Sequence, residues 1–177
     1  MDISPVKEAY NELRSVDAKR EDIIKIARII GRSARQAIIT IHSGKLREAE
    51  NIIAELKQLV KNAVKKIGPH STMFYGILRT PTQEYVEAAV FLSIAKKDDR
   101  IPSYKELEVD PSTYLLGVAD SVGEARRLTL SLLKSWNIEE AERVFSIMEC
   151  LVNVLSLWDL PDAVSYTHLT LPTTERV

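Results

Sequence analysis

Glu84 and Glu87 stand three residues apart in a segment that otherwise reads as buried helix, flanked by Tyr85, Val86, Ala88, Ala89, Val90, Phe91, Leu92 and Ile94. Residues i and i+3 share a helix face, so the two carboxylates point the same way. Like charges side by side against apolar surface repel, and they are costly to desolvate unless something positive lies between them. Asp120 and Glu124 repeat the pattern at i, i+4 inside a second apolar run, Tyr114 to Glu124. Two such helices packed face to face would collect four carboxylates. That all-oxygen donor set suits Mg2+ or Mn2+.

A rival reading pairs the same acids with arginines. Arg79, Arg126 and Arg127 are at hand, and Arg127 follows Glu124 at i+3. Spacing alone does not decide between an ion site and buried ion pairs. His42, His70 and His168 are scattered, and none stands three residues after Glu84 or Glu124, so the Glu-x-x-His pattern of di-iron bundles is missing. The chain has no P-loop, GxGxxG, GxSxG or paired-cysteine motif. With no histidine or cysteine in the constellation, a cation-activated water is a better attacker than a protein nucleophile. Cys150 sits in an apolar helical run and reads as a core residue.

The elements that must position these groups are helical throughout. Val6, Tyr10, Leu13 and Val16 mark a short amphipathic helix. A second helix spans about Arg20 to Ser43 and stops at Gly44, with Ile23, Ile26, Ala27, Ile30, Ala34, Ala37, Ile38 and Ile41 on one face. Lys25, Arg28, Arg32 and Arg35 lie on the opposite face at 3-4-3 spacing, either as a solvated surface or as a stripe that binds phosphates. A third helix covers about Leu46 to Ile67 and stops at Gly68-Pro69; a turn or short helix follows through Met73 and Tyr75. Thr80 is the expected N-cap of the helix that carries Glu84 and Glu87, with Pro81 at its first position and Gln83 closing a capping box. The helix dipole would then offset part of the carboxylates' cost.

After a polar connection from Lys97 to Val109, with one helical turn started by Ser103 and Glu106, Asp110-Pro111 opens a helix to about Trp136. Gly117 and Gly123 within it each cost roughly 1 kcal/mol of helix stability relative to alanine and would admit a neighbouring backbone. Asn137 with Glu140 caps the last helix, to about Trp158. No segment alternates as a strand does. The expected fold is all-α, a single-domain bundle of about six to seven helices over residues 1–163. Residues 164–177, which have no helical period and few charges, read as an anomalous tail outside it.

Composition sets the outer bounds. The chain has 177 residues, 45% hydrophobic and 28% charged, as in an ordinary globular domain. No apolar run reaches eighteen residues and the N-terminus lacks a signal-peptide pattern, so the expected compartment is the cytoplasm. A net charge of −1 means that nucleic-acid binding would rest on local segregation of charge.

Gln83-Glu84-Tyr85-Val86-Glu87-Ala88 and Tyr114-Leu115-Leu116-Gly117-Val118-Ala119-Asp120, continuing to Gly123-Glu124, resemble the translin family, and in particular its catalytic branch, that of translin-associated factor X (TRAX). The similarity extends more loosely over about residues 5–163, including the helix from Arg28 to Ile41 and Trp158-Asp159-Leu160-Pro161-Asp162-Ala163. It implies an all-helical subunit of a hollow octamer that encloses RNA, with cleavage by TRAX-like subunits using Mg2+, for which Mn2+ can substitute. The family's catalytic and metal-holding acids fall on Glu84, Glu87 and Asp120, with Glu124 as a further acidic site residue. Its phosphate contacts carry over to Arg28, Arg35 and Arg127. The implied activity is a Mg2+-dependent endoribonuclease acting on single-stranded or short structured RNA. The alternative is a translin-like carrier of RNA or single-stranded DNA without catalysis. Either would act as a homo-oligomer or with a translin-like partner subunit. One departure stands out: the family continues with a final basic helix where this chain has its anomalous tail.

Overall fold

The computed structural model describes residues 2–67 and 71–157. Among the described residues six helices follow one another: α1 Ser4–His42, α2 Leu46–Ile67, α3 Ser71–Lys96, α4 Tyr104–Leu107, α5 Pro111–Lys134 and α6 Ile138–Ser156. No strand occurs among the described residues, so the fold is the expected all-α bundle. The stop expected at Gly68-Pro69, the stretch Trp158–Ala163, the tail 164–177 and the family's final helix all lie outside the described residues.

The first two expected helices are one. No glycine or proline interrupts Val16 to Glu21, so nothing breaks the hydrogen-bond ladder and α1 runs unbroken for 39 residues. Its second half supplies Ile23, Ala27, Ile30, Ala34, Ala37, Ile38 and Ile41 to the core, while Ile3, Val6, Tyr10 and Leu13 at its start are exposed. It ends as Gly44 predicts. Gly44 takes φ +75, its N–H donates to Ile41 O (2.9 Å) and the Lys45 N–H to Thr40 O (3.2 Å), the paired bonds of a Schellman stop.

α3 lies at the centre and packs against α1, α2 and α5, while α6 packs on α5 and reaches α3 through Arg143, which donates to Ile94 O. Tyr85, Val86, Ala88, Ala89, Val90 and Phe91 are all buried. The expected start at Thr80 is wrong: the helix begins at Ser71, and Pro81 lies inside it. An interior proline forfeits one backbone hydrogen bond and costs ~3 kcal/mol. Apolar burial on both sides of it, from Leu78 to Ile94, offsets that cost. Glu84 and Glu87 therefore sit more than three turns into the helix, beyond the reach of its N-terminal dipole.

α5 starts where local rules place it, Asp110 accepting from the Thr113 N–H at 3.0 Å, and Ser103 and Glu106 form the capping box of α4. Of the two glycines in α5, Gly117 is an approach point. A Cβ there would lie 2.5 Å from Val86 Cβ and 2.7 Å from Gln83 O, so the backbones of α3 and α5 touch. Gly123 is exposed and faces open space, against expectation. Asn137 occupies the N-cap of α6 but its side chain makes no capping bond. The Glu140 carboxylate that would complete a capping box is taken by Lys97 (2.6 Å) and Arg143 (2.7 Å). Cys150 is exposed rather than in the core, because α6 buries Ala141, Val144, Met148 and Val152 and position 150 falls on the other face.

Candidate functional site

Contact between α3 and α5 at Gly117 sets the site. One turn beyond it Asp120 comes alongside the face of α3 that carries Glu84 and Glu87, and Glu124 follows one turn later. Glu87 lies close enough to the other three carboxyls to feel their charge. Glu87 is pushed up to about 8, first by burial and then by the charges of Asp120, Glu124 and Glu84, and among the described residues no hydrogen bond counteracts the shift. Burial also raises Asp120, in part offset by Gln83, whose Nε2 donates to Asp120 Oδ2 at 2.5 Å. Glu87 thus carries a proton at neutral pH, which is how a crowded carboxylate cluster relieves its own repulsion.

α1 closes the other side. Arg35 Nη1 donates to both oxygens of Glu84, at 2.8 and 2.6 Å. Seven residues on, two turns along the same face, His42 Nε2 lies 2.5 Å from Glu124 Oε2. Its ring rests on Phe91, centroids 4.8 Å apart and tilted by 43°. Gly31 leaves room for the Arg35–Glu84 pair: a Cβ there would stand 3.0 Å from Glu84 Oε2. An open groove of ≈ 340 Å³ runs between α1 and α3, lined by Arg28, Gly31, Arg35, Thr80 and Glu84 among others.

The expected residues are therefore placed as follows. Asp120, Glu124 and Glu84 all lie near enough to Glu87 for their charges to act on it. Arg28 is exposed on the groove, Arg35 sits on Glu84, and Arg127 is a loose 3.8 Å from Glu124 with a mostly exposed side chain. Two partners of the cluster went unrecognised in the sequence, Gln83 and His42. His42 carried a readable signal, since it stands at i+7 from Arg35.

The donor chemistry of this cluster fits a hard divalent cation: four carboxyl groups from two helices, one of them protonated by burial and by the charge of its acidic neighbours. Among the described residues no three acidic, histidine or cysteine side chains hold an ion as they lie. Three of the four carboxylates are turned to Arg35, Gln83 and His42 instead. Arg35 takes both oxygens of Glu84, so ligation calls for Glu84 to turn, whereas Gln83 and His42 each take one oxygen of their partner.

A sequence profile of the translin family matches residues 18–169. The chain belongs to the translin family. It is 38% identical over 152 residues to an uncharacterized protein of Methanocaldococcus jannaschii, MJ0175, covering 84% of this chain and 67% of that protein. Among solved structures, apo-NeC3PO superposes with a TM-score of 0.82 at 26% identity, over 93% of this chain and 88% of that one. AfC3PO does so with a TM-score of 0.82 at 28% identity, over 92% and 85%. AfC3PO in complex with duplex RNA gives 0.83 at 28% identity, over 92% and 84%. The translin fold thus holds across the described helices. Among the described residues no helix is long and apolar enough to cross a membrane.

Proposed function

We propose that this translin-family chain is a Mg2+-dependent endoribonuclease of the TRAX-like branch, acting on single-stranded or short structured RNA in the cytoplasm. The observation that carries the reading is the crowding of Glu87 by three other carboxyls with no hydrogen bond to offset it. A purely structural cluster would place a cation or donor there, as it does at Glu84. Similarity to a C3PO that binds duplex RNA supports RNA as the ligand.

Mg2+, or Mn2+ in its place, would be held by Glu84, Glu87, Asp120 and Glu124 and would supply charge screening at a phosphate and a more acidic water. The chain's own groups do the rest. To hold the ion, Glu87 would release its proton to solvent. Arg28 and Arg35 line the groove that ends at Glu84 and grip backbone phosphates without reading sequence, and Arg127 does the same beside Glu124. The working form is an oligomer, either of this chain alone or with a translin-like partner.

The second reading is a non-catalytic RNA or single-stranded DNA carrier. It is favoured by one observation, that Arg35, Gln83 and His42 already occupy three of the four carboxylates. Labelled RNA incubated with Mg2+ or with chelator separates the two. A nuclease cleaves in the first only, and Glu87→Gln reduces cleavage more than about 100-fold, beyond the loss expected for an outer-shell group, with RNA binding retained. Binding without cleavage in either condition establishes the carrier.

A further inference from the structure

His42 touches the carboxylate cluster from a third helix, and the nuclease reading leaves it without a task. Its backbone is fixed by the Schellman stop at Gly44, and its ring by Phe91, which is fully buried one turn beyond Glu87. The side chain is only 13% exposed, and its one polar contact among the described residues is Glu124, at 2.5 Å. Glu124 is 23% exposed, and its other partner is Arg127 at 3.8 Å, an i, i+3 pair on a 67% exposed arginine that constrains little. Without His42 the Glu124 carboxylate would be free to choose among rotamers. Facing a carboxylate, Nε2 is the ring nitrogen that carries the hydrogen.

We infer that His42 is a positioning residue of the cation centre: its Nε2–H holds one oxygen of Glu124 and leaves the other for the ion. The inference rests on the metal-nuclease reading and adds to it a residue outside the acidic set. Ligating carboxylates are commonly oriented by such outer donors, whose loss costs roughly 10–100-fold in metal affinity. Gln83 stands in the same relation to Asp120 but is carried on α3 itself, so among the described residues it is His42 that ties α1 to the α5 end of the cluster.

The test is Mn2+ titration of the full chain, followed by electron paramagnetic resonance, for wild type, His42→Ala and His42→Gln, with circular dichroism melting as the check on folding. Mn2+ should bind the wild type, bind His42→Ala roughly 10–100-fold more weakly, and recover most of that loss in His42→Gln, whose amide N–H reaches a similar place. The bound ion should show no nitrogen hyperfine coupling in the wild type. Equal affinity in wild type and His42→Ala overturns the inference while leaving the cation centre standing. So does a nitrogen coupling in the wild type, which would make His42 a direct ligand, or a glutamine variant as weak as alanine. If His42→Ala fails to fold, the glutamine variant and the wild-type spectrum still decide. A wild type that binds no Mn2+ overturns the reading of the centre itself, and this inference with it.

Discussion

At the scale of single residues, Glu87 and Arg35 carry the most consequence. Glu87 titrates near 4.5 when unperturbed and at about 8 in the folded chain. Between those values the folded state binds more protons than the unfolded one, so stability falls as pH rises from about 4.5 to about 8 and levels off above. Asp120, also raised, acts in the same direction. With chelator present, Glu87→Gln should flatten that fall and melt higher than wild type above the folded pKa, each 1 kcal/mol of relieved repulsion being worth about 2–4 °C in a domain of this size. Equal melting temperatures there would mean that the four carboxyls do not repel as their placement implies. Arg35 is 60% exposed and bonded to Glu84, so it can exchange that partner for a phosphate. Arg35→Gln should weaken RNA binding and reduce the salt slope by about 0.7 for a single strand. A salt slope left unchanged would remove Arg35 from the RNA contacts.

The two glycines of α5 make a contrasting pair, since a neighbouring helix meets Gly117 and none meets Gly123 among the described residues. At Gly117 an added methyl would collide with the Gln83 carbonyl and the Val86 side chain, and a backbone oxygen cannot swing aside. Overpacking of this kind costs typically 1–3 kcal/mol, more than the ~1 kcal/mol of helix propensity that alanine returns. Gly117→Ala should therefore melt lower and, by prising α5 from α3, lose cleavage as well. Gly123→Ala meets nothing within 4 Å and should gain roughly 1 kcal/mol with activity intact. Calorimetry on the two variants checks both signs. Gly44, Asp110 and the Ser103–Glu106 box were legible in the sequence because a helix end is a local event settled within five or six residues. Pro81 was misread as a start because burial on both sides of it outweighs the lost bond, and no local rule contains that burial. The return half of the Asn137 box is missing because Lys97, from the end of α3, holds the Glu140 carboxylate.

For the whole molecule, a cation that binds the folded state alone must stabilise it. At about 100 times its dissociation constant Mn2+ adds about 2.7 kcal/mol, roughly 5–10 °C at the conversion above. That rise should vanish in Glu87→Gln, and a wild-type melting curve indifferent to Mn2+ would count against the centre. Apolar side chains also remain on the surface of the single copy: Val6, Tyr10 and Leu13 along the start of α1, and Leu133, Trp136 and Phe145 where α5 turns into α6. Light scattering should accordingly give a mass several times 20.0 kDa. A monomer in solution would refute the oligomeric form proposed here.

The sequence by itself determined that the chain is all-helical, where most helices begin and end, and that two pairs of acids share faces of apolar helices. Each of these follows from spacing or from capping chemistry within a few residues. Only the tertiary structure decided that α5 presses against α3 at Gly117, which brings the two pairs into one cluster. It also decided that Arg35 and His42, 49 and 82 residues from their partners, bracket that cluster from α1. Such pairings depend on how helices cross in space, and a helix's own periodicity says which face is apolar but not which helix will cover it.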